Sequence, residues 1–255
     1  MTQTAAFAHR AAPHTLPEWM DTPASLETLR GCLGSLRQIN VLTGSYRPTL
    51  AFLRRALHHA HAHGQHFTEQ SPLRILDIGA GGGDTLVRIA RWAAIRRLPV
   101  ALTGADLNPQ SAILARETEV RLTSRTPRLR GTPITWLTAD ALTLDLPHPP
   151  DLILSSLFMH HLEDAEIVRV LRWQHATATL GWFINDLARS LRAARLYLAL
   201  GTVLRWHPFC LHDGPVSFRR AFRAADWHAL LAQANITSAT LLPTRPARLC
   251  LQHLR

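Results

Sequence analysis

The stretch Ile75-Leu76-Asp77-Ile78-Gly79-Ala80-Gly81-Gly82-Gly83-Asp84 decides how the chain is read. It starts as a short apolar run with an acid, Asp77, and passes through glycines at 79, 81, 82 and 83 into the amphipathic stretch Thr85 to Arg97. That order predicts a strand, a tight turn and a helix. Glycines at such a turn let the backbone take positive φ and approach a ligand, and the start of the following helix offers unpaired N–H donors. A nucleotide-like ligand is implied.

Two common nucleotide fingerprints do not fit. In the dinucleotide pattern Gly-x-Gly-x-x-Gly, Asp84 stands where the third glycine belongs. The phosphate loop requires Gly-Lys-[Ser/Thr], and the chain contains no lysine. What remains, Asp-x-Gly-x-Gly-x-Gly from Asp77 to Gly83, resembles the first motif of class I S-adenosylmethionine-dependent methyltransferases. The resemblance implies that Asp77 lies near the amino-acid end of the cofactor, that Gly79, Ala80 and Gly81 make room for it, and that Asp84 also belongs to the cofactor set.

Pro99 to Asp106 reads as a second strand ending in an acid, and Asn108-Pro109 starts a helix through about Glu119. An acid that closes the strand after a glycine-rich βα unit is placed to accept both ribose hydroxyls, with a helix cap or strand-end acid as the lesser alternative. The resemblance gives the ribose to Asp106, with Leu107 beside it. It also places Asp140 and Ala141, after a third strand at Ile134 to Leu137, near the adenine. Asp151 to Ser156 is nearly all apolar, as a parallel strand buried on both faces should be, and Ser155 joins the cofactor set.

Leu157-Phe158-Met159-His160-His161-Leu162 follows that strand, where open α/β sheets bind their ligands. Methyltransferases acting on amines of nucleic-acid bases resemble one another in an Asn/Asp-Pro-Pro-aromatic loop here, and this chain has Ser155-Ser156-Leu157-Phe158. Protein arginine methyltransferases carry two flanking glutamates, and only Glu163 is near. The His-His-Leu form resembles small-molecule enzymes related to the ubiquinone and menaquinone methyltransferases. His160 or His161 could therefore be the general base for a phenolic proton, or could simply pack against the sheet.

Residues expected at the substrate pocket are Tyr46, at the break between two N-terminal helices (25–40 and 47–63), Asp186 and Arg189 at the end of a fifth strand, and His212 in the segment after it. Asp186 and Arg189 could instead form a salt bridge and cap. Methyl transfer in line from sulfur to a nucleophile is mainly a matter of positioning, so no residue is assigned to a metal. The run His58, His59, His61, His63 and His66 lacks accompanying acids before Glu69 and reads as a solvated helix end.

At 255 residues, with 47% hydrophobic content, the chain can bury a full core. The expected architecture is α/β: a Rossmann-like seven-stranded methyltransferase sheet with helices on both faces. Residues 1–66 would supply an N-terminal arm and cap helices, and 72–255 the core with a helical cap inserted at about 187–216. A net charge of +10 invites a nucleic-acid reading, but all 28 basic residues are arginine and they are spread along the chain, so a small-molecule partner is favoured. No apolar run reaches the roughly 20 residues of a membrane span, and the first twelve residues lack the apolar centre of a secretory signal. A cytoplasmic location is expected. The stretch Leu196 to Leu204, flanked by arginines, could touch a membrane surface. Cys32, Cys210 and Cys250 suit neither a disulfide framework nor a Cys-x-x-Cys metal site, and homo-oligomer formation is left open.

These readings combine into a methyltransferase using S-adenosyl-L-methionine on a small, aromatic, hydroxyl-bearing molecule of secondary metabolism. The alternatives are a carbon or nitrogen acceptor on a natural product or quinone, and a cofactor-binding protein without turnover.

Overall fold

The computed structural model describes residues 5–124 and 134–255. Along the chain lie α1 (Leu26–Leu42), α2 (Arg47–Ala62), β1 (Leu73–Ile78), α3 (Asp84–Arg96), β2 (Val100–Asp106), α4 (Pro109–Thr123) and β3 (Ile134–Thr138). They are followed by β4 (Leu152–Ser156), α5 (Asp164–Thr177), β5 (Gly181–Leu187), α6 (Leu191–Val203), α7 (Pro208–Arg220), α8 (Ala224–Ala234), β6 (Thr240–Thr244) and β7 (Arg248–Leu254). The strands form one seven-stranded sheet in the order β3-β2-β1-β4-β5-β7-β6. Strand order therefore reverses between β1 and β4, which is where open α/β sheets leave a crevice for ligands.

The chain divides into two compact units, one of residues 46–156, 172–184 and 252–255, the other of residues 1–45, 157–171 and 185–251. In the first, β1 runs parallel to β2 and β4, and β2 runs parallel to β3. The register sets Ile78 opposite Ser155 and Asp106 opposite Thr138, so the motif acids and Ser155 gather at one edge, the carboxyl ends of the strands. Both sides of these strands are buried, which explains their near-continuous apolar sequence. Phe52 of α2 stacks on Phe183 of β5 with ring centroids 4.9 Å apart, both almost fully buried. Each such ring contributes about 1.5–3 kcal/mol through burial.

Local chemistry fixes where the helices begin. Ser25 accepts the Thr28 N–H at 3.1 Å before α1, and Asn108 accepts the Gln110 N–H at 3.0 Å before α4, with Pro109 as first helical residue. Ahead of α3 stands Gly83 in the left-handed region, at φ 72°. A Cβ there would lie 2.4 Å from the Trp136 ring, which is itself held by its Nε1–H donating to Glu119 at 2.8 Å. Gly83→Ala should therefore cost about 2–4 kcal/mol, from left-handed strain plus overpacking. A denaturation midpoint equal to that of the unsubstituted protein would show that the turn adopts another conformation at little cost.

In the second unit, the sequence from Ser217 to about Ala234 reads as one last helix, whereas the structure forms two, α7 and α8. Pro215 lies inside α7. The break follows because Ala221 turns extended, its carbonyl taken by Arg189 Nη1–H at 2.9 Å, while Phe222 bridges to Ala188. Phe222 then stacks on Trp227 at 4.1 Å. Ile236 to Leu242 reads as a closing strand in the sequence, but the sixth strand begins at Thr240, because Asn235 ends α8 in the left-handed conformation and leaves Ile236 buried in the turn. Cys32 and Cys210, remote in sequence, have their Sγ atoms 3.4 Å apart in a buried cluster with Ile39 and Trp206. Residues 1–24 read in the sequence as a mostly irregular arm; its described residues carry short 3-10 turns at Ala5–Phe7, Pro13–Thr15 and Trp19–Asp21, and its first four residues lie outside the described ones. No helix among the described residues is long and apolar enough to cross a membrane.

Candidate active site

The glycine turn after β1 belongs to the first unit. Ala80 N–H donates to the Ala105 carbonyl at 3.1 Å and Gly83 N–H to the Ala80 carbonyl at 2.9 Å, which bends the chain tightly between β1 and α3. Gly81 takes φ 50°, and a Cβ on it would meet no atom within 4 Å, so this point of the turn faces open space. Its N–H donates to Asp106 Oδ2 at 2.8 Å, while Asp106 Oδ1 accepts the Asn108 N–H at 2.9 Å. Asp106 thus ties the ends of β1 and β2 together.

Asp77 is buried, and its carboxyl is pushed well above the usual range by burial first and then by the nearby charges of Asp84 and Asp106. Asp84 accepts from the Tyr46 hydroxyl, and Arg88 lies over the Tyr46 ring at 4.1 Å. Tyr46 is thus drawn to Asp84 of its own unit. Asp140 accepts the Leu142 N–H at 3.0 Å and caps the 3-10 turn Ala141–Thr143 that follows β3. Ser155 is buried, and its Oγ finds no protein partner. Leu107 is one of the exposed apolar side chains.

These features fit S-adenosylmethionine. Its ammonium and sulfonium groups supply the positive charge that crowded Asp77, Asp84 and Asp106 call for, its ribose offers hydroxyls to Asp106, and the open side of Gly81 leaves room for its backbone-near atoms. Ser155 Oγ is an additional polar atom able to take a hydrogen bond.

The histidine loop belongs to the second unit. Leu157 takes φ 57°, unusual for a side chain with a Cβ, and its N–H donates to the Asn185 carbonyl at 2.9 Å. The chain then makes a 3-10 turn over Met159–His161. His160 is buried, with Nδ1 2.7 Å from Asp186 Oδ1. Burial alone would raise the Asp186 carboxyl, but the neighbouring His160 and the Leu187 N–H outweigh it and hold the group below its ordinary value. An ionised carboxylate only accepts, so His160 Nδ1 carries the hydrogen and Nε2 keeps its lone pair in the neutral ring.

His161 Nδ1 lies 2.9 Å from Asp21 Oδ1. For His161, burial lowers the pKa, and Glu18 and Asp21 more than compensate, so the net shift is upward. Arg220, fully buried, donates from Nη1 to Asp21 Oδ2 at 2.7 Å and from Nε to the His160 carbonyl at 3.0 Å.

The other expected pocket residues are committed elsewhere. Arg189 reaches the Phe7 and Ala221 carbonyls and pairs with Asp226 at 2.9 Å, which makes it a tether between segments. His212 stacks on Trp19 at 4.0 Å and has Nδ1 2.7 Å from Asp213. His59 and His63 stand ring to ring at 4.3 Å on the last turn of α2, in the first unit.

Glu18, Asp21 and Arg220 were not singled out in the sequence. The only trace was a pair of acids in the Pro17–Asp21 segment of the arm, and spacing alone cannot say that they fold against residues 160 and 161.

Residues 75–178 match the protein-family model described as a methyltransferase domain. No curated protein matches the sequence. Among solved structures, the plantazolicin methyltransferase BpumL, in complex with a triazolic desmethylPZN analog and SAH, superposes with TM-score 0.57 at 13% identity, covering 90% of this chain and 97% of that one. Magnesium protoporphyrin IX methyltransferase from Synechocystis PCC 6803, with bound SAM, gives TM-score 0.53 at 14% identity, covering 86% and 83%. A putative O-methyltransferase from Nostoc punctiforme gives 0.50 at 16% identity, where the match takes in 72% of this chain and about half, 52%, of that one. At these identities the likeness is one of fold.

Proposed function

We propose that this chain, whose residues 75–178 match a methyltransferase domain, is a class I S-adenosylmethionine-dependent methyltransferase that methylates a small molecule at an aromatic hydroxyl. The observation that carries this reading is the crowding of Asp77, Asp84 and Asp106 around a glycine turn that opens at Gly81, a negative site suited to a cationic nucleoside. When bound, S-adenosylmethionine supplies an electrophilic methyl group on sulfur. Asp77 balances the charge of its amino-acid end, Asp106 accepts from the ribose hydroxyls, and Asp140 with Ala141 borders the adenine. His160 and His161 activate the acceptor hydroxyl through their Nε2 lone pairs, with Asp186 and Asp21 orienting the rings. The names of similar structures, a magnesium protoporphyrin IX methyltransferase and a putative O-methyltransferase, support a small acceptor.

Calorimetry with S-adenosylmethionine, its demethylated product and NAD tests the cofactor. Binding of the first two without NAD is expected, and tight NAD binding alone would overturn the reading. Asp77 is protonated to an unusually high pH in the free protein, and a cationic ligand favours its ionised form, so affinity should rise with pH through that ionisation and then level off. Affinity that is flat with pH would mean that Asp77 does not face the cationic end.

Methyl transfer to a panel of phenols, with mass spectrometry of the products, locates the acceptor atom. His160→Gln or His161→Gln should lower turnover by roughly 10²–10⁴ with cofactor affinity nearly intact. A methyl group found on carbon or nitrogen would refute the hydroxyl assignment, and binding without transfer to any acceptor would favour a non-catalytic role.

A further inference from the structure

We propose that Glu18, His160 and His161 form a binding site for a divalent transition-metal ion. Among the described residues these three side chains bring one ligand atom each to within 4.8 Å of one another. His160 Nε2 lies 3.8 Å from Glu18 Oε1, and His161 Nε2 lies 3.8 Å from Glu18 Oε2. Two imidazole nitrogens and a carboxylate are the donor set of many zinc and iron sites. Bonds of about 2.1 Å to a tetrahedral ion set ligands roughly 3.4 Å apart, so small side-chain rotations close the site.

The surroundings point the same way. Each ring has its Nδ1 held by a carboxylate, His160 by Asp186 at 2.7 Å and His161 by Asp21 at 2.9 Å. That carboxylate–histidine arrangement turns the Nε2 lone pairs outward and is the usual support of a metal-ligating imidazole. When both rings are neutral, their Nε2 lone pairs face the oxygens of a buried glutamate, acceptor against acceptor, at a distance too long for a hydrogen bond. A cation between them turns this repulsion into coordination.

The charge balance agrees. Around the two rings stand the carboxylates of Glu18, Asp21 and Asp186 and the guanidinium of Arg220, 3.5 Å from Glu18 Oε1 and 2.7 Å from Asp21 Oδ2, while Arg10, paired with Asp164, also acts on Asp186. With neutral rings, negative charge is in excess, which a divalent ion offsets. Glu18 is further fixed by the Ser217 hydroxyl, which donates to Oε1 at 2.8 Å.

The site deepens the proposed function, because a bound ion gives the acceptor hydroxyl a Lewis acid in place of a bare imidazole. It rests on that reading only for its use, since metal binding is measured without cofactor or acceptor. The untagged full-length chain is stripped with chelator, reloaded with Zn²⁺ or Co²⁺, and assayed by elemental mass spectrometry and cobalt absorption. About one ion per chain is expected. Glu18→Gln and His161→Gln should abolish retention, Asp186→Asn should weaken affinity roughly 10–100-fold, and the double variant His59→Gln/His63→Gln should change nothing.

Because the buried variants could fail to fold, X-ray absorption on the cobalt-loaded unsubstituted chain provides a second reading, with two imidazoles and at least one carboxylate oxygen expected. The proposal falls if no ion is retained at micromolar concentration, which would mean that protons alone satisfy the cluster. It falls equally if the absorption spectrum lacks two imidazoles, or if retention follows His59 and His63. Loss of S-adenosylmethionine binding with intact metal retention would overturn the function and leave the site standing.

Discussion

Replacing Arg220 with methionine will lower the stability of the protein by about 3–5 kcal/mol, the usual loss when one partner of a buried ion pair is removed. Arg220 has no solvent exposure, and its fork joins the 3-10 turn at Trp19–Asp21 to the one at Met159–His161 through Asp21, Glu18 and the His160 carbonyl. Methionine fills much of the same volume, so the loss is one of charge and hydrogen bonding rather than of packing. It leaves the buried Glu18 and the partly exposed Asp21 without their cation. For a chain of this size the midpoint of thermal unfolding should fall by about 6–20 °C. Arg220→Lys should recover only part of this, since one ammonium cannot reproduce two donors fixed on a planar fork. A melting temperature equal to that of the unsubstituted chain in Arg220→Met would show that these carboxylates do not depend on Arg220.

Asp106→Ala will weaken binding of S-adenosylmethionine and of its demethylated product by at least about tenfold. If Asp106 holds the ribose as proposed, two charge-assisted bonds, each worth roughly 1.5–3 kcal/mol before solvent compensates, are removed, and a tenfold change corresponds to about 1.4 kcal/mol. In the free protein the same carboxylate accepts the N–H groups of Gly81 and Asn108, so its removal also loosens the turn. Asp106→Asn separates the two effects, because its amide oxygen can keep one backbone bond while the charge toward the ribose is gone. Calorimetry on both variants is the measurement. Unchanged affinity in a folded Asp106→Ala would mean that another acid holds the ribose.

The first unit was largely legible in the sequence. Buried parallel strands write themselves as apolar runs, helix starts as Ser, Asn and Pro, and a turn with positive φ as glycine, all within a few residues of where they act. The sheet and its switch point follow from Ile75 to Asp84 and from the strands ending at Asp106 and Ser156, because strand and ligand are specified by the same local stretch.

Boundaries were read less well where tertiary contacts overrode local signals. Pro215 stayed inside α7, and the helix ended instead at Ala221, where buried Arg189 takes the carbonyl.

His160 and His161 could be named from sequence, but their chemical setting could not. Asp186 lies 26 residues away from His160, Asp21 lies 140 from His161, and Glu18, which faces both rings, sits in an arm without periodicity. The adjacent thiols of Cys32 and Cys210 are separated by 178 residues. A sequence records what each residue does to its own backbone and its near neighbours. Which charges meet in a buried cluster is decided by the packing of distant segments, where the cost of an unpaired carboxylate away from water selects the partners.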